Sequence, residues 1–376
     1  KSPNGELNIS VDVKDKIYYS VSYGNDLLLK DCYLNLQLQN ETLGDNPRLR
    51  STKRGTIDES VKREIPFKNA IVKNHCNTLR MNFSGNYAVE FRVFDNGMAY
   101  RFVTDKKEDN IVMGEDFAIN FPANYKAHLS QPDGFKTSYE YPYTHIDTEN
   151  YAATDRMSYL PVLIETDKAY KILISEADLF DYPCMFLKGT GKNGMQSLFP
   201  KAPLAFGEDG DRSLKITKEA DYIAKTTGKR SFPWRMMVIS KEDKEIIENE
   251  MVYNLSTPCV LEDYSWIKPG QVSWEWWHDA RLYGVDFRSG YNMDSYKYYI
   301  DFASRFGIPY IIMDEGWAKN TRDPFTPNST INLPELIQYG KERNVKIVLW
   351  LPWLTVENHF DLFKTFADWG IAGVKI

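Results

Sequence analysis

Asp314 and Glu315 stand side by side at the end of the apolar run "YIIM", just before Gly316 and Trp317. Successive residues of a strand point to opposite faces, so these two carboxylates cannot serve each other as acid and base. The expected division has one facing a pocket, where it would accept hydrogen bonds from hydroxyl groups, and the other bracing a loop. Two acids solvated in a loop are the plain alternative, and the apolar run leading into them argues against it. Upstream, "WEWW" sets Trp274 and Trp276 on one face of a strand and Trp277 on the other. An indole at a strand end makes a platform for the apolar face of a sugar ring, and Trp276 is placed in that role. Packing is the competing explanation for each of the three. His278 and Asp279 follow, with a polar rim equally open to them. Lys375 lies within the apolar run "GVKI". A buried ammonium without partners costs at least several kcal/mol, so carboxylates or hydroxyl groups should lie near it, unless its long stem carries the charge to solvent.

The elements that must hold these residues alternate. "VSWEWW" reads as a strand and "NMDSYKYYIDFASRFG" as a helix, capped by Asn292 and ended by Gly307. Met293, Tyr296, Tyr299, Ile300, Ala303 and Phe306 form its apolar stripe. "IPYIIMDEGW" is a second strand, "LPELIQYGKERN" a helix with Pro334 in its first turn, "VKIVLWLPW" a third strand. "ENHFDLFKTFADWG" is a helix stopped by Gly370, and "IAGVKI" a fourth strand. Strands apolar on both faces, separated by amphipathic helices, require a parallel sheet covered by helices. No GxGxxG or P-loop glycine pattern supports a doubly wound nucleotide fold. "WW", "DEGW" and "LPW" sit just past strand ends, where (β/α)8 barrels keep their chemistry. The expectation is a TIM barrel of which about the first four strands are present. Four strands cannot close a barrel and would leave a bare edge, so the chain reads as a fragment.

From Glu6 to about Trp234 the rhythm is almost all strand: "LNISVDV", "IYYSVSY", "LNLQLQ", "LPVLIET" and "YKILISEA". "YAVEFRVFDNGMAYRFV" is a hairpin turning at Asp95-Asn96-Gly97, where Asn and Gly tolerate positive φ. Many short antiparallel runs predict a large β-sandwich. The expected division is a sandwich over 1–256, a connector over 257–270 and the barrel portion over 271–376. "KEDKEIIENEMVYNL" brings a helical charge pattern just before the connector. The aromatic content, 14%, suits sugar faces and a large sandwich core alike. A net charge of −6 supplies no basic field, which excludes nucleic acid as a partner, and no apolar run is long enough to span a membrane. The four cysteines are scattered singly, with no CxxC pair for a thiolate zinc site.

Taken together, the sandwich, "SWIKPGQVSWEWW", "YKYYIDFASRFG", "YIIMDEGW" and "GVKI" resemble glycoside hydrolase family 97, calcium-dependent α-glucosidases and α-galactosidases of Bacteroidetes such as Bacteroides. The resemblance implies an exo-acting α-glycoside hydrolase in the periplasm or secreted, acting on an α-linked oligosaccharide or a galactoside or glucoside. Barrels of the similar melibiase kind end their fourth strand in Lys-x-Asp, the aspartate being the nucleophile. That likeness implies no catalytic residue within the chain and a nucleophile immediately after Ile376. Inverting members carry a base glutamate near the end of the third strand, whereas "LWLPW" has no acid before Glu357, which points to retention. Retention needs carboxyls about 5 to 5.5 Å apart, the second coming from a later strand. The resemblance further implies Ca2+ held by glutamates, with Glu176 in "ISEADL" as the match from the sandwich and His145 a further residue that could reach the site. A surface turn glutamate and a structural loop histidine are the plainer readings of these two, and one carboxylate cannot hold calcium by itself. Three functions stay open: a retaining α-galactosidase, an inverting α-glucosidase of the same family, and a non-catalytic carbohydrate-binding protein.

Overall fold

The computed structural model describes residues 1–65 and 67–376. The protein is mostly β-sheet and divides into two compact units, residues 1–202 with 219–262, and residues 203–218 with 263–376.

The first unit holds two antiparallel sheets. One runs in the order Leu7–Val13, Ile17–Tyr23, Asp26–Leu38, Asn110–Asn120, Gly194–Leu198, Phe186–Gly189 and Ser158–Tyr159. The other runs Tyr143–Asp147, Lys126–Ser130, Val162–Glu165, Lys171–Ala177, Trp234–Ser240, Gly97–Asp105, Tyr87–Phe94, Ile71–Phe83 and Leu49–Lys62. Period-two alternation explains the packing: Ile17, Tyr19 and Val21 are buried and the residues between them are not. Tyr19 and Phe117 of the first sheet meet Tyr100 of the second at ring centroid distances of 5.8 and 6.0 Å. Much of the aromatic content is therefore spent in this core. The hairpin turns where the sequence places it, with Phe94 paired to Gly97. Neither Asn96 nor Gly97 takes positive φ, however. Glycine is needed at position 97 for room, because a Cβ there would lie 2.4 Å from the Met237 carbonyl oxygen. The charged segment after this sheet forms two short helices, Asp243–Glu248 and Met251–Leu255, not one.

The second unit contains a four-stranded parallel sheet whose order follows the chain: Val272–Trp274, Tyr310–Met313, Lys346–Trp350 and Gly373–Lys375. Helices Met293–Arg305, Leu333–Glu342 and Leu362–Trp369 connect them. The Asn292 side chain accepts from the Ser295 N–H and that of Asn332 from the Glu335 N–H, satisfying otherwise orphaned amides. Gly307 and Gly370 take left-handed φ at the helix ends, where a Cβ would strain the turn. Tyr296, Tyr299, Ile300 and Ala303 pack on Ile311, Met313, Ile347 and Leu349. Phe306, expected on this stripe, is exposed because the helix has already ended at Arg305. The strand expected to run through "WEWW" stops at Trp274 and gives way to a 3-10 turn, Glu275–His278. Two hairpins not expected from the sequence belong to this unit, Ala318–Asn320 with Asp323–Pro327, and Pro203–Asp209 with Ser213–Glu219. Among the described residues no helix is long and apolar enough to cross a membrane.

Candidate active site

Trp274, Asp314 and Lys375 come together at the carboxyl ends of the first, second and fourth parallel strands. The Trp274 Nε1–H donates to Asp314 Oδ2 at 2.5 Å, and Lys375 Nζ donates to the same oxygen at 2.6 Å. The ammonium also lies 3.8 Å from the Trp274 ring centroid, a cation–π geometry. Asp314 Oδ1 accepts the Glu315 N–H at 2.8 Å. Asp314 is buried and Lys375 only partly so, which leaves the ammonium able to meet both the acid and an incoming hydroxyl group. Register explains the meeting: Trp274 pairs with Ile312, two residues before Asp314, and Lys375 lies beside Trp350.

Glu315 turns away from this cluster. Its Oε1 accepts from Arg212 Nη2 at 2.6 Å, in the turn of the Pro203–Asp209 hairpin. Gly316 follows at φ +113, packed under Tyr291, and this conformation lets the chain reverse after the two acids. A cavity of about 260 Å3 beside Glu315 is lined also by Trp317, Asn328 and Trp350. A larger cleft of about 1100 Å3, among Leu333, Ile337, Val345 and Trp369, includes none of Trp274, Asp314, Glu315 and Lys375. Trp276 and Trp277 lie in the turn, 52% and 78% exposed, so strand alternation does not order them. Trp277 packs edge-on against Trp274 at 4.8 Å.

Two residues of this neighbourhood escape sequence reasoning. Glu275 is 2% exposed; its Oε1 accepts the Asp314 N–H at 2.7 Å and the Tyr296 O–H at 3.0 Å. Its Oε2 is buried with no hydrogen-bond partner among the described residues. Burial, reinforced by the negative Asp314, pushes its carboxyl up to about 7. The one available signal was an acid flanked by tryptophans, while Tyr296 reads simply as helix core. His278 meets the Tyr299 hydroxyl at 2.9 Å.

In the first unit Glu176 belongs to a buried ionic group. Arg235 donates to both oxygens of Glu115 at 2.6 and 2.7 Å and to Glu176 Oε2 at 2.5 Å. Glu176 also accepts the Met185 N–H at 3.1 Å. Burial raises the Glu176 pKa, which the shared guanidinium only partly offsets. His145 pairs with His128 across the strands, Nδ1 to Nδ1 at 2.7 Å. Among the described residues no group of three acids, histidines or cysteines could hold a metal ion. A hard cation wants six or more oxygens, so the described residues do not by themselves make a calcium site.

Residues 1–258 match the family description "Glycosyl-hydrolase 97 N-terminal" and residues 274–376 match "Glycoside hydrolase 97". All of the chain aligns at 35% identity with 59% of a retaining alpha-galactosidase of Bacteroides thetaiotaomicron. At 27% identity, 95% of it aligns with 53% of a probable retaining alpha-galactosidase of Streptomyces bingchenggensis. A solved family 97 enzyme in complex with acarbose, from Pseudoalteromonas sp. strain K8, superposes on the whole chain with a TM-score of 0.85 at 19% identity, over 58% of its own length. The last likeness concerns the fold alone. The chain spans between 53% and 59% of the length of these curated relatives. With matches over 1–258 and 274–376, the chain belongs to glycoside hydrolase family 97.

Proposed function

We propose that the full-length protein is an exo-acting, retaining α-galactosidase. The observation carrying this reading is the Trp274–Asp314–Lys375 cluster: an indole face, a carboxylate and an ammonium at neighbouring strand ends are the groups that hold a pyranose. Indole surface not covered by the ammonium would take the apolar face of the ring, while Asp314 and Lys375 accept from and donate to its hydroxyl groups. The exposed Trp276 would line the outer part of the same subsite, whereas Glu315, expected there too, instead braces the neighbouring hairpin through Arg212. The name borne by the 35%-identical relative supports both the galactoside and retention. The third strand, which ends at Trp350 with its carbonyl engaged by Trp317 and carries no acid of its own, supports retention alone. On this reading the parallel sheet is the first half of a (β/α)8 barrel, and the nucleophile is an aspartate directly after Ile376. It attacks the anomeric carbon while a carboxylic acid from a later strand protonates the leaving oxygen. Lys375, two positions before that aspartate, orients the sugar for in-line attack.

Calcium belongs to the same proposal. Glu176 would supply one carboxylate, its Oε1 carrying only the Met185 N–H, with the remaining oxygens coming from the part of the relatives that this chain does not span. Calorimetric titration of Ca2+ into the full-length protein and its E176Q variant tests this; equal heats from both would remove Glu176. A periplasmic or secreted location goes with the family and an α-linked oligosaccharide substrate. The activity itself is tested by incubating the full-length protein with nitrophenyl α-galactoside and α-glucoside. Preferred release from the galactoside is expected; release from neither leaves a binding protein, and preference for the glucoside assigns the other specificity.

A further inference from the structure

Glu275 lies outside the groups that meet a sugar in the reading above, yet it is more deeply buried than Asp314. Its Oε1 accepts the main-chain N–H of Asp314, and Tyr296 clamps the same oxygen from the helix below. A main-chain amide tied to a rigid side chain fixes the backbone there, and with it the direction of the side chain that follows. The side chain so fixed is the carboxylate that holds Lys375 and Trp274. We propose that Glu275 is a positioning residue for sugar binding: by anchoring the Asp314 main chain it sets where the Asp314 carboxylate and the Lys375 ammonium meet a pyranose.

This inference rests on the galactosidase reading, and it adds a protonation state. The titratable groups facing Glu275 are Asp314 from the second strand, Tyr296 and Tyr299 from the helix and Tyr291 ahead of it; Lys375 reaches Asp314. In the neutral acid Oε1 is the carbonyl oxygen that accepts both hydrogen bonds, and the proton sits on the unpartnered Oε2. Ionisation would set a second negative charge beside Asp314, to compete for one ammonium. Burial holds the carboxyl near 7, so this loss falls within an ordinary assay range.

The test uses full-length wild type, E275Q and E275A on an aryl α-galactoside from about pH 5 to about 9, with kcat and KM resolved separately. In wild type, KM should climb as pH passes about 7; in E275Q this alkaline rise should vanish, with KM at acid pH within about threefold of wild type. E275A should raise KM by about tenfold or more, with kcat less affected. An alkaline rise kept intact in E275Q, or wild-type KM in E275A, overturns the role given to Glu275. Should E275A fail to fold, the near-isosteric E275Q carries the test alone. Absence of turnover by wild type would instead overturn the galactosidase reading, before any variant is compared.

Discussion

Asp314 Oδ2 takes two donors, the Trp274 indole and the Lys375 ammonium, and the second is the one a substrate can share. Removing it in K375M should lower kcat/KM on an aryl α-galactoside by roughly 10²-fold or more, because a buried carboxylate then lacks its charge partner and the sugar a donor. A lysine that merely reaches solvent would leave kcat/KM within about threefold. Glu275 makes a second prediction, on stability. A buried acid whose folded pKa lies above its ordinary 4.5 stabilises fully below that value and loses the contribution as pH rises toward about 7. At about 1.4 kcal/mol per pH decade the loss is roughly 3 kcal/mol. The melting temperature of E275Q should therefore gain on wild type between about pH 4.5 and 7 and hold a constant lead above. A lead that does not vary with pH would refute the buried, protonated acid. Asp314 and Lys375 were legible in the sequence because a charge closing an apolar run needs a reason. Glu275 was not, since its role depends on the chain leaving the strand at Trp274 and rolling the acid under Asp314. The same turn exposes Trp276, which alternation had paired with Trp274.

At the scale of elements, local signals and outcomes agree where the pattern is periodic. The Asn292 cap and the stops at Gly307 and Gly370 lie where side-chain chemistry demands them, and the chain turns at Asp95–Gly97 as expected but without positive φ at Asn96 or Gly97. Not legible were hairpins such as Pro203–Asp209 with Ser213–Glu219, whose alternating Leu204, Phe206 and Ile216 stay exposed instead of facing a core and whose tip meets Glu315 through Arg212. Long-range ionic pairing was equally invisible: Arg235 looks like any strand arginine, yet it is 1% exposed and joins Glu115 on the opposite sheet. R235L would leave Glu115 and Glu176 buried without a cation, at a cost of about 3–5 kcal/mol. Without that cation Glu176, whose pKa burial already raises, would hold its proton more tightly, so the deficit should shrink as pH falls from about 8 to about 5. Denaturant titrations of wild type and R235L at both values read this directly; a deficit equal at the two, or absent, contradicts the ionic account.

Across the whole molecule, membership of family 97 rests on two matched segments, while the chain spans just over half of its curated relatives. The catalytic proposal thus joins a sugar-holding cluster present here to a nucleophile and an acid lying outside it. Strand rhythm had already pointed to a sandwich joined to a parallel sheet. The choice among sugars was not legible, because it turns on a few hydrogen bonds to one hydroxyl group, axial or equatorial. Stereochemistry is more decisive than specificity, since retention follows from a nucleophile adjoining the Lys375 strand and inversion does not. The direct measurement is proton NMR of nitrophenyl α-galactoside hydrolysis by the full-length protein, followed before mutarotation. The account predicts that the α-anomer of galactose appears first and the β-anomer only later; β-galactose appearing first would contradict it.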